Sequence, residues 1–269
     1  MATSTLSTLK RTVRAYYKKE KRDHLPWRRK QTSYAVLVSE IMLQQTQVDR
    51  VIPKFKAFIK RFPTVSSLAR TSLGDVLREW QGLGYNRRAK MLHQAAQVIE
   101  RDFKGRIPRE YEALRSLPGV GEYTAKAVRV FAFNKPEVLI ETNVRTVFIH
   151  HCFPKEETVA DKKLIPLIQE ALDTKNPREW YAALMDYGTH LKKTVGNVSR
   201  KSAQYVKQKP FRGSSREVRG AIIKRLAGGK ASRTSLYKLP FASERIAKEV
   251  DTLLKEGLVV AERRSLKLP

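Results

Sequence analysis

Apolar residues recur every three or four positions along most of this chain, which is the spacing of amphipathic helices. Alternating strand patterns are scarce before residue 258, so the sequence predicts a mostly α-helical protein. Residues 1–14 are basic, rich in Ser and Thr and free of acids, a composition also typical of a transit peptide. Because Val13, Tyr16 and Tyr17 are helically spaced, we favour a structural first helix.

Residues 33–51 predict a helix, a turn and a second helix. Glu40 is the single acid in the first, largely apolar half of this stretch. Burial raises the pKa of a carboxyl group, and a Glu that titrates near neutral pH can protonate a leaving group. Alternatively, Glu40 is satisfied by a capping contact or by an arginine. The following Gln44, Gln45 and Thr46 form an amide-rich loop suited to filling a gap in a duplex and hydrogen-bonding base edges.

A glycine-bracketed turn lies between two further predicted helices, residues 108–116 and 123–133. In this turn, Gly119-Val120-Gly121, the glycines would let the backbone approach an anion closely. The N–H groups that start the second helix could then bind a phosphate. Taken alone, the turn also fits an ordinary αα-hairpin.

Residues 81–90 provide another candidate contact with nucleic acid. Leu83 lies between two glycines, Tyr85 follows, and Arg87 is one of three cations after it. Such a segment can stack an aromatic ring on a base while it holds phosphates.

The C-terminal part of the chain predicts a small separate domain, residues 216–269, after a polar, basic linker at 207–215. Three helices and a hairpin that turns at Arg263 and Arg264 suggest a winged helix, whose wing arginines would lie near a groove or phosphate. A packing or protein-interaction lobe with solvated charges is the alternative. The expected elements cover residues 216–226, 232–239, 243–255 and 258–268.

Composition indicates the class of partner. The formal net charge is +28 over 269 residues, with a pI near 10.3, so a polyanion is the natural partner. No apolar run approaches membrane-spanning length. Cys152 is the single cysteine, which excludes a disulfide within the chain and a Cys-ligated cluster. His150 and His151 precede it directly, and we interpret all three as packing residues, so no metal site is expected.

Four motifs in colinear order carry a family resemblance. They are Leu-Pro-Trp-Arg at 25–28, Ser-Glu-Ile-Met-Leu-Gln-Gln-Thr-Gln-Val at 39–48, Gly-Leu-Gly-Tyr at 82–85 and the glycine turn. Together they closely resemble the helix-hairpin-helix base-excision glycosylases of the MutY type, the adenine DNA glycosylases. The resemblance spans roughly residues 10–190. It implies a two-lobed helical helix-hairpin-helix fold, with a glycosylase domain at 1–206 and the hairpin at 114–128.

The resemblance also implies roles for four residues. Glu40 would protonate the flipped adenine and later help to position the attacking water. Glu141 occupies the position of the family's aspartate, the anion that stabilises an oxocarbenium-like sugar. Asn143 would hydrogen-bond near the leaving base or the carboxylates, and Tyr123 would orient Glu141 or the sugar. Relatives that resemble endonuclease III place a lysine at the Tyr123 position for Schiff-base chemistry, so we expect base removal without strand cleavage.

Two departures from the family pattern matter. The family carries four cysteines in an iron–sulfur loop after the segment that corresponds to residues 185–188, and none is present here, so we expect no cluster. A monovalent cation bound at the hairpin stays open. The tail is also too short for the MutT-like domain that reads 8-oxoguanine in the family.

The sequence therefore predicts a monofunctional DNA glycosylase of base excision repair that removes adenine mispaired with 8-oxoguanine or guanine. We expect a cytoplasmic, nucleoid-associated monomer that binds double-stranded DNA with a mismatch or damaged base and does not bind membranes. A thymine or uracil glycosylase for mismatches with guanine is one alternative. A non-catalytic DNA-binding protein on the same scaffold is another.

Overall fold

The computed structural model describes residues 2–29, 31–208 and 210–269, and it is predominantly helical, as predicted. The α-helices are α1 (Ala2–Glu20), α2 (Pro26–Arg29), α3 (Ser33–Leu43), α4 (Val48–Arg61), α5 (Val65–Ala69), α6 (Leu73–Glu79), α7 (Arg87–Phe103), α8 (Tyr111–Arg115), α9 (Glu122–Phe133), α10 (Thr142–Cys152), α11 (Asp161–Ala171), α12 (Pro177–Thr194), α13 (Ser215–Ala227), α14 (Arg233–Leu236) and α15 (Ser243–Lys255). In the described part of the chain, no helix is both long enough and apolar enough to cross a membrane.

Two short antiparallel strands, β1 (Val260–Glu262) and β2 (Ser265–Lys267), form the hairpin near the C-terminus. Arg263 and Arg264 make the turn between them, and Arg263 has a left-handed φ of 52°. Ala231 adds an isolated antiparallel bridge to Leu266. Three helices followed by this hairpin are the elements expected of the winged-helix-like segment.

The chain divides into two compact units. The first contains residues 1–36, 109–111 and 121–207, and the second contains 37–108, 112–120 and 208–269. The predicted glycosylase domain at 1–206 is thus distributed over both units, and the segment after the predicted linker belongs to the second. Lys209 of that linker lies outside the described residues.

The first unit has a core built from α1, α9, α10, α11 and α12. Tyr181 in α12 is buried, and its hydroxyl donates to the carbonyl of Glu137 and accepts from the N–H of Leu139, both at 2.9 Å. These bonds fix the extended segment that leads into α10. The core residues are Leu6, Leu9, Val13, Ala127, Val130, Leu139, Val144, Val147, Phe148, Ile149, Val159, Leu164, Ile168, Ala171, Trp180, Tyr181, Ala183, Leu184, Tyr187 and Leu191.

The second unit includes the C-terminal helices. Its buried aromatic residues include Phe58 in α4, whose ring meets Trp80 edge-on at 6.0 Å. The guanidinium of Arg78 in α6 donates to the carbonyl of Ala227 at the end of α13, at 3.1 Å. Buried side chains of α13 and α15 form the adjoining apolar core: Val218, Ile222, Ile223, Leu226, Ile246, Val250 and Leu253.

The first helix of the hairpin is shorter than the predicted 108–116. It begins at Tyr111, and residues 108–110 stay outside it. The carbonyl of Arg109 accepts a hydrogen bond from Arg129 at 2.7 Å instead of entering a helical ladder. The second hairpin helix, α9, extends as predicted to Phe133.

Candidate active site

Glu40 lies in α3 and is half-buried. Its neighbours Ser39 and Ile41 are each 1% exposed, so the helix buries most of its surface around this carboxylate. Partial burial of Glu40 was the expectation from the apolar sequence around it. The helix ends at Leu43, directly before the amide-rich loop.

Arg88, in the first turn of α7, holds the end of α3 and two loops together. One terminal nitrogen, Nη1, donates to the carbonyls of Ile41 and Met42 at 2.8 Å and of Gln44 at 2.6 Å. The other, Nη2, donates to the Thr46 hydroxyl at 2.9 Å. The remaining Nη2 acceptors, at 3.1–3.2 Å, are the carbonyls of Leu83 and Gly84.

Burial lowers the pKa of Arg88 to about 10, so the guanidinium stays protonated at neutral pH. Its carbon Cζ lies 5.4 Å from the ring centres of both Trp80 and Tyr85. A cation at the C-terminal end of α3 also complements the partial negative charge of that helix end. Arg88 therefore fixes the geometry of the two segments that the sequence predicts to contact bases.

The two loops held by Arg88 each contain a strained residue. Gln45 has φ 55° and Tyr85 has φ 47°, in the left-handed region that non-glycine residues rarely occupy. Such a conformation costs on the order of 1–3 kcal/mol and persists where surrounding contacts determine it. Both residues were predicted to contact DNA, and Gln45 is exposed while Tyr85 is half-buried.

The two glycines of the glycine turn have different structural surroundings. Gly119 has φ 77°, and a Cβ atom there would lie 2.6 Å from Cβ of Met91, so a side chain does not fit. Gly121 is exposed and forms the N-cap of α9, where it provides no side chain to cap the first N–H groups. Those N–H groups are the ones proposed to bind a phosphate.

Glu141 is the N-cap of α10 and its carboxylate is held by three N–H donors. Oε1 accepts from the backbone N–H of Asn143 at 2.7 Å and of Val144 at 2.9 Å. The side-chain amide of Asn143 donates to Oε2 at 3.2 Å. Burial raises the pKa of the Glu141 carboxyl above its ordinary value, and these hydrogen bonds oppose the rise. The result is an oriented carboxylate with a fixed amide beside it.

Gly188 in α12 allows α10 to come close. A Cβ atom at this position would lie 2.6 Å from the carbonyl oxygen and 2.9 Å from Cα of Asn143, which are backbone atoms that cannot rotate away. The glycine therefore sets the position of Asn143. Tyr123 in α9 is half-buried and packs against the core of the same unit.

Asp186, two residues earlier in α12, anchors the Leu-Pro-Trp-Arg motif. Its buried carboxylate accepts from Arg28 Nη1 at 2.7 Å and Nη2 at 2.8 Å, and from Arg22 Nε at 2.5 Å. Burial alone would raise the pKa of Asp186, but the bonds from Arg28 and Arg22 lower it below its ordinary value. Part of the motif behind the resemblance thus has a structural role.

The sequence did not single out Arg88, Gly188 or Asp186. For Arg88 a signal exists, because the buried residues Leu92, Ala96 and Ile99 share its face of α7 at helical spacing. For Gly188 the signal is a glycine inside a helical pattern, which often marks close packing.

The candidate residues differ in where they lie. Tyr123, Glu141 and Asn143 belong to the first unit, whereas Glu40 and the two loops belong to the second. The side chains of Leu83 and Val120 are 2% and 5% exposed, so in this conformation they are core residues. The exposed candidates are Gln45, Arg87, Gly119, Gly121, Arg263 and Arg264.

The segment after α12 does not fit an iron–sulfur cluster. Residues 195–207 contain no Cys, His, Asp or Glu. The segment is held by a 3₁₀-helix (Val198–Lys201) and by a backbone bond from the N–H of Val159 to the carbonyl of Lys201 at 2.8 Å. Among the described residues, no group of three or more His, Cys, Asp or Glu could hold a metal ion.

The adjacent His150, His151 and Cys152 make packing contacts. His151 Nε2 lies 3.1 Å from the Tyr187 hydroxyl, and the His150 ring meets the His151 ring edge-on at 4.9 Å. Burial raises the pKa of the Cys152 thiol to about 11, which leaves it protonated at neutral pH.

The chain is similar to known proteins in both its fold and its sequence. The profile of the HhH-GPD superfamily base excision DNA repair proteins matches residues 38–170. A thermostable thymine-DNA glycosylase of known structure aligns with a TM-score of 0.60 and 25% identity, over 69% of this chain and 87% of that one. The fold is therefore that of the helix-hairpin-helix DNA glycosylases.

Sequence relatives narrow the family further. The adenine DNA glycosylase of Mycolicibacterium smegmatis is 34% identical over 91% of this chain and 90% of that protein. The adenine DNA glycosylase of Mycobacterium tuberculosis (strain CDC 1551 / Oshkosh) is 48% identical over 49% of this chain, but the match spans only 44% of that protein. The chain belongs to the MutY-type family of adenine DNA glycosylases.

Proposed function

We propose that the protein is a monofunctional DNA glycosylase that hydrolyses the N-glycosidic bond of adenine mispaired with 8-oxoguanine or guanine. The observation that carries the proposal is the 34% identity with an adenine DNA glycosylase over about nine tenths of both chains. The residues to which the family resemblance assigns the chemistry are Glu40, Tyr123 and Asn143, with Glu141 in place of the family's aspartate.

In the proposed reaction, Glu40 donates a proton to the flipped adenine and weakens the bond to the sugar. Glu40 lies half-buried in the largely apolar helix α3. Departure of the base leaves a sugar with oxocarbenium character, and water completes the hydrolysis.

Glu141 is proposed to stabilise that cationic sugar. Its carboxylate is pre-oriented by the N–H groups of Asn143 and Val144, so little reorganisation is needed when positive charge develops. Glu141 is one methylene longer than the family's aspartate, and its N-cap geometry in α10 supports retention of the role.

Tyr123 stands where a Schiff-base mechanism would need a lysine. We therefore propose that base release leaves an intact abasic strand. We further propose that the enzyme works without an iron–sulfur cluster, since residues 195–207 offer no thiolate. We also propose that a monovalent cation can bind at the glycine turn.

Duplex DNA is the proposed partner, bound by an enzyme that acts as a monomer close to the nucleoid. A net charge of +28 supports strong attraction to phosphates, so affinity should fall steeply as salt rises. The N–H groups at the start of α9 and the exposed Arg263 and Arg264 are the proposed phosphate contacts.

A second candidate is removal of thymine or uracil opposite guanine, which the structural similarity to a thymine-DNA glycosylase favours. Single-turnover base release from duplexes with A opposite 8-oxoguanine, A opposite G, T opposite G and U opposite G distinguishes the two. Adenine release that Glu40→Gln abolishes, without strand breaks before alkali treatment, supports the first proposal. Pyrimidine release supports the second, and DNA binding with no release supports a non-catalytic protein.

A further inference from the structure

The C-terminal segment, residues 208–269, is joined to the glycosylase helices of the second unit by side chains that reach backbone carbonyls. Arg78 in α6 donates to the carbonyl of Ala227, as described above. Lys90 in α7 donates to the carbonyl of Glu256, directly after α15. These bonds hold α13 beside α6 and the end of α15 beside α7.

The same segment contacts the loop between α6 and α7, here called the Tyr85 loop. Arg216, in the first turn of α13, donates from Nη1 to the Tyr85 hydroxyl at 2.8 Å. Its other terminal nitrogen, Nη2, donates to the carbonyl of Pro210 at 3.4 Å. Gln208 donates to the same hydroxyl and lies 3.5 Å from the side-chain oxygen of Gln45. Both terminal nitrogens of Arg216 thus have acceptors within the folded protein.

Two guanidinium groups therefore act on Tyr85 from different parts of the chain. Arg88 fixes the backbone of the Tyr85 loop through the carbonyls of Leu83 and Gly84, and its Cζ lies 5.4 Å from the ring centre. Cζ of Arg216 lies 5.3 Å from the same centre. Each cation is close enough to be attracted by the electrons of the ring. Both donors described for the Tyr85 hydroxyl, however, belong to the C-terminal segment.

A tyrosine side chain held in this way is pre-organised for stacking. A solvated side chain occupies several rotamers, and immobilising it on binding costs free energy. The left-handed backbone of Tyr85, with φ 47°, adds a cost that surrounding contacts must offset. Here both costs are met during folding, by side chains more than 120 positions further along the chain.

We propose that Arg216 is a positioning residue, through which the C-terminal segment holds Tyr85 ready to stack on the bases of a mismatched duplex. The proposal rests on the function proposed above. It gives the C-terminal segment a role in the selection of mismatches besides added affinity for phosphates. Arg216 acts through the Tyr85 side chain and does not itself bind DNA.

The test is a double-mutant cycle on duplex affinity. Full-length protein carrying Glu40→Gln is titrated with duplexes that contain A opposite 8-oxoguanine, T opposite G or no mismatch. Tyr85→Ala should reduce the preference for the better-bound mismatch about tenfold, the scale of one aromatic stacking contact. Arg216→Met should reduce it by a smaller factor, and Tyr85→Phe, which removes the acceptor but keeps the ring, should match that factor. Arg216→Met should then have no further effect in the Tyr85→Ala background.

Three further variants control for charge and folding. Arg216→Lys keeps a donor for the Tyr85 hydroxyl and should retain most of the preference. Lys224→Met removes the same charge from an exposed position of α13 and should leave the preference unchanged. Gln208→Ala removes the other donor without altering α13, so it tests the proposal even if Arg216→Met unfolds. It should weaken the preference, and again not in the Tyr85→Ala background.

Salt dependence separates positioning from direct contact with DNA. Loss of one phosphate contact lowers the slope of log affinity against log salt by about one. Arg216→Met should leave this slope unchanged. A slope reduced by about one, with mismatched and paired duplexes weakened equally, would show that Arg216 binds a phosphate and would overturn the proposal. Independent effects of Arg216→Met and Tyr85→Ala would also overturn it, as would an unchanged preference in Tyr85→Ala.

Single-turnover base release by the wild-type protein is measured in parallel. Coupled effects of Arg216 and Tyr85 on mismatch affinity, without adenine release, would reject the proposed reaction and retain the positioning role. Adenine release with independent effects of the two residues would reject the positioning role and retain the reaction.

Discussion

The guanidinium of Arg88 donates a 2.6 Å hydrogen bond to the carbonyl oxygen of Gln44, the first residue after the helix that carries Glu40. Further bonds from the same side chain reach Thr46 and the Leu83 carbonyl. One half-buried cation therefore fixes the end of α3, the amide-rich loop and the Tyr85 loop.

Replacing Arg88 with Lys should destabilise the protein and loosen both loops. An ammonium group has three donors, so it cannot satisfy all the acceptors that Arg88 serves, and each buried acceptor left unpaired costs about 1–3 kcal/mol. Chemical denaturation should show the loss of stability, and duplex affinity should fall with it. Arg87→Lys, at the exposed neighbouring position in α7, should leave stability nearly unchanged. If the two variants unfold at the same denaturant concentration, the role assigned to Arg88 is wrong.

Sequence reasoning reached the local structure but not the contacts that position it. The helical spacing around Glu40 predicted α3 and α4 because burial of one face requires that pattern. The adjacent Arg87 and Arg88 look alike in the sequence, yet one is exposed and the other half-buried. The difference depends on carbonyls more than forty residues away, which no local pattern encodes.

The carboxylate of Glu141 combines two functions that substitutions can separate. Glu141→Gln keeps an oxygen that can accept the N–H groups of Asn143 and Val144, so the N-cap and the fold should survive. It removes the negative charge, and single-turnover excision should fall by about a hundredfold. Glu141→Ala should lose the charge and also about 1 kcal/mol of helix capping.

Glu141→Asp provides the matched conservative change, because it restores the shorter residue of the family pattern. It should retain most of the excision activity. Because burial raises the pKa of Glu141 above its ordinary 4.5, the carboxylate is protonated at a higher pH than an exposed glutamate. As the solution is acidified, wild-type excision should therefore begin to decline at a pH above 4.5. Full activity of Glu141→Gln would contradict the charge-stabilising role.

The close packing of α12 against α10 makes Gly188 a sensitive position. Gly188→Ala should push Asn143 away, since the added Cβ would lie within 2.9 Å of its backbone. Overpacking of this kind costs about 1–3 kcal/mol. The displaced amide should also lower excision more than duplex affinity, which single-turnover rates and titrations can separate.

Gly220→Ala is the same chemical change as Gly188→Ala, but we expect it to have the opposite effect on stability. Gly220 lies inside α13, and an added Cβ would meet nothing within 4 Å. Alanine is the better helix former by roughly 0.5–1 kcal/mol, so this variant should be more stable than the wild type. A stabilising Gly188→Ala would show that the two helices can separate without cost.

The ion pairs of Asp186 should stabilise the folded protein at neutral pH and less so in acid. Arg28 and Arg22 lower its pKa below the ordinary 3.8, so the folded state binds the proton less readily than the unfolded state. The contribution is complete above pH 3.8 and is lost as pH falls through the lower folded pKa. Asp186→Asn leaves two partly buried arginines without their carboxylate and should cost about 3 kcal/mol at neutral pH.

Denaturant unfolding from pH 7 to pH 3 measures this dependence. The difference between wild type and Asp186→Asn should shrink as the solution is acidified, because protonation of Asp186 reproduces the effect of the substitution. Asp23→Asn is the matched control, since Asp23 pairs with Lys21 at the surface and both side chains are more than half exposed. Its effect should be small at every pH. A constant difference for Asp186→Asn across the range would mean that packing, and not the ion pair, accounts for its contribution.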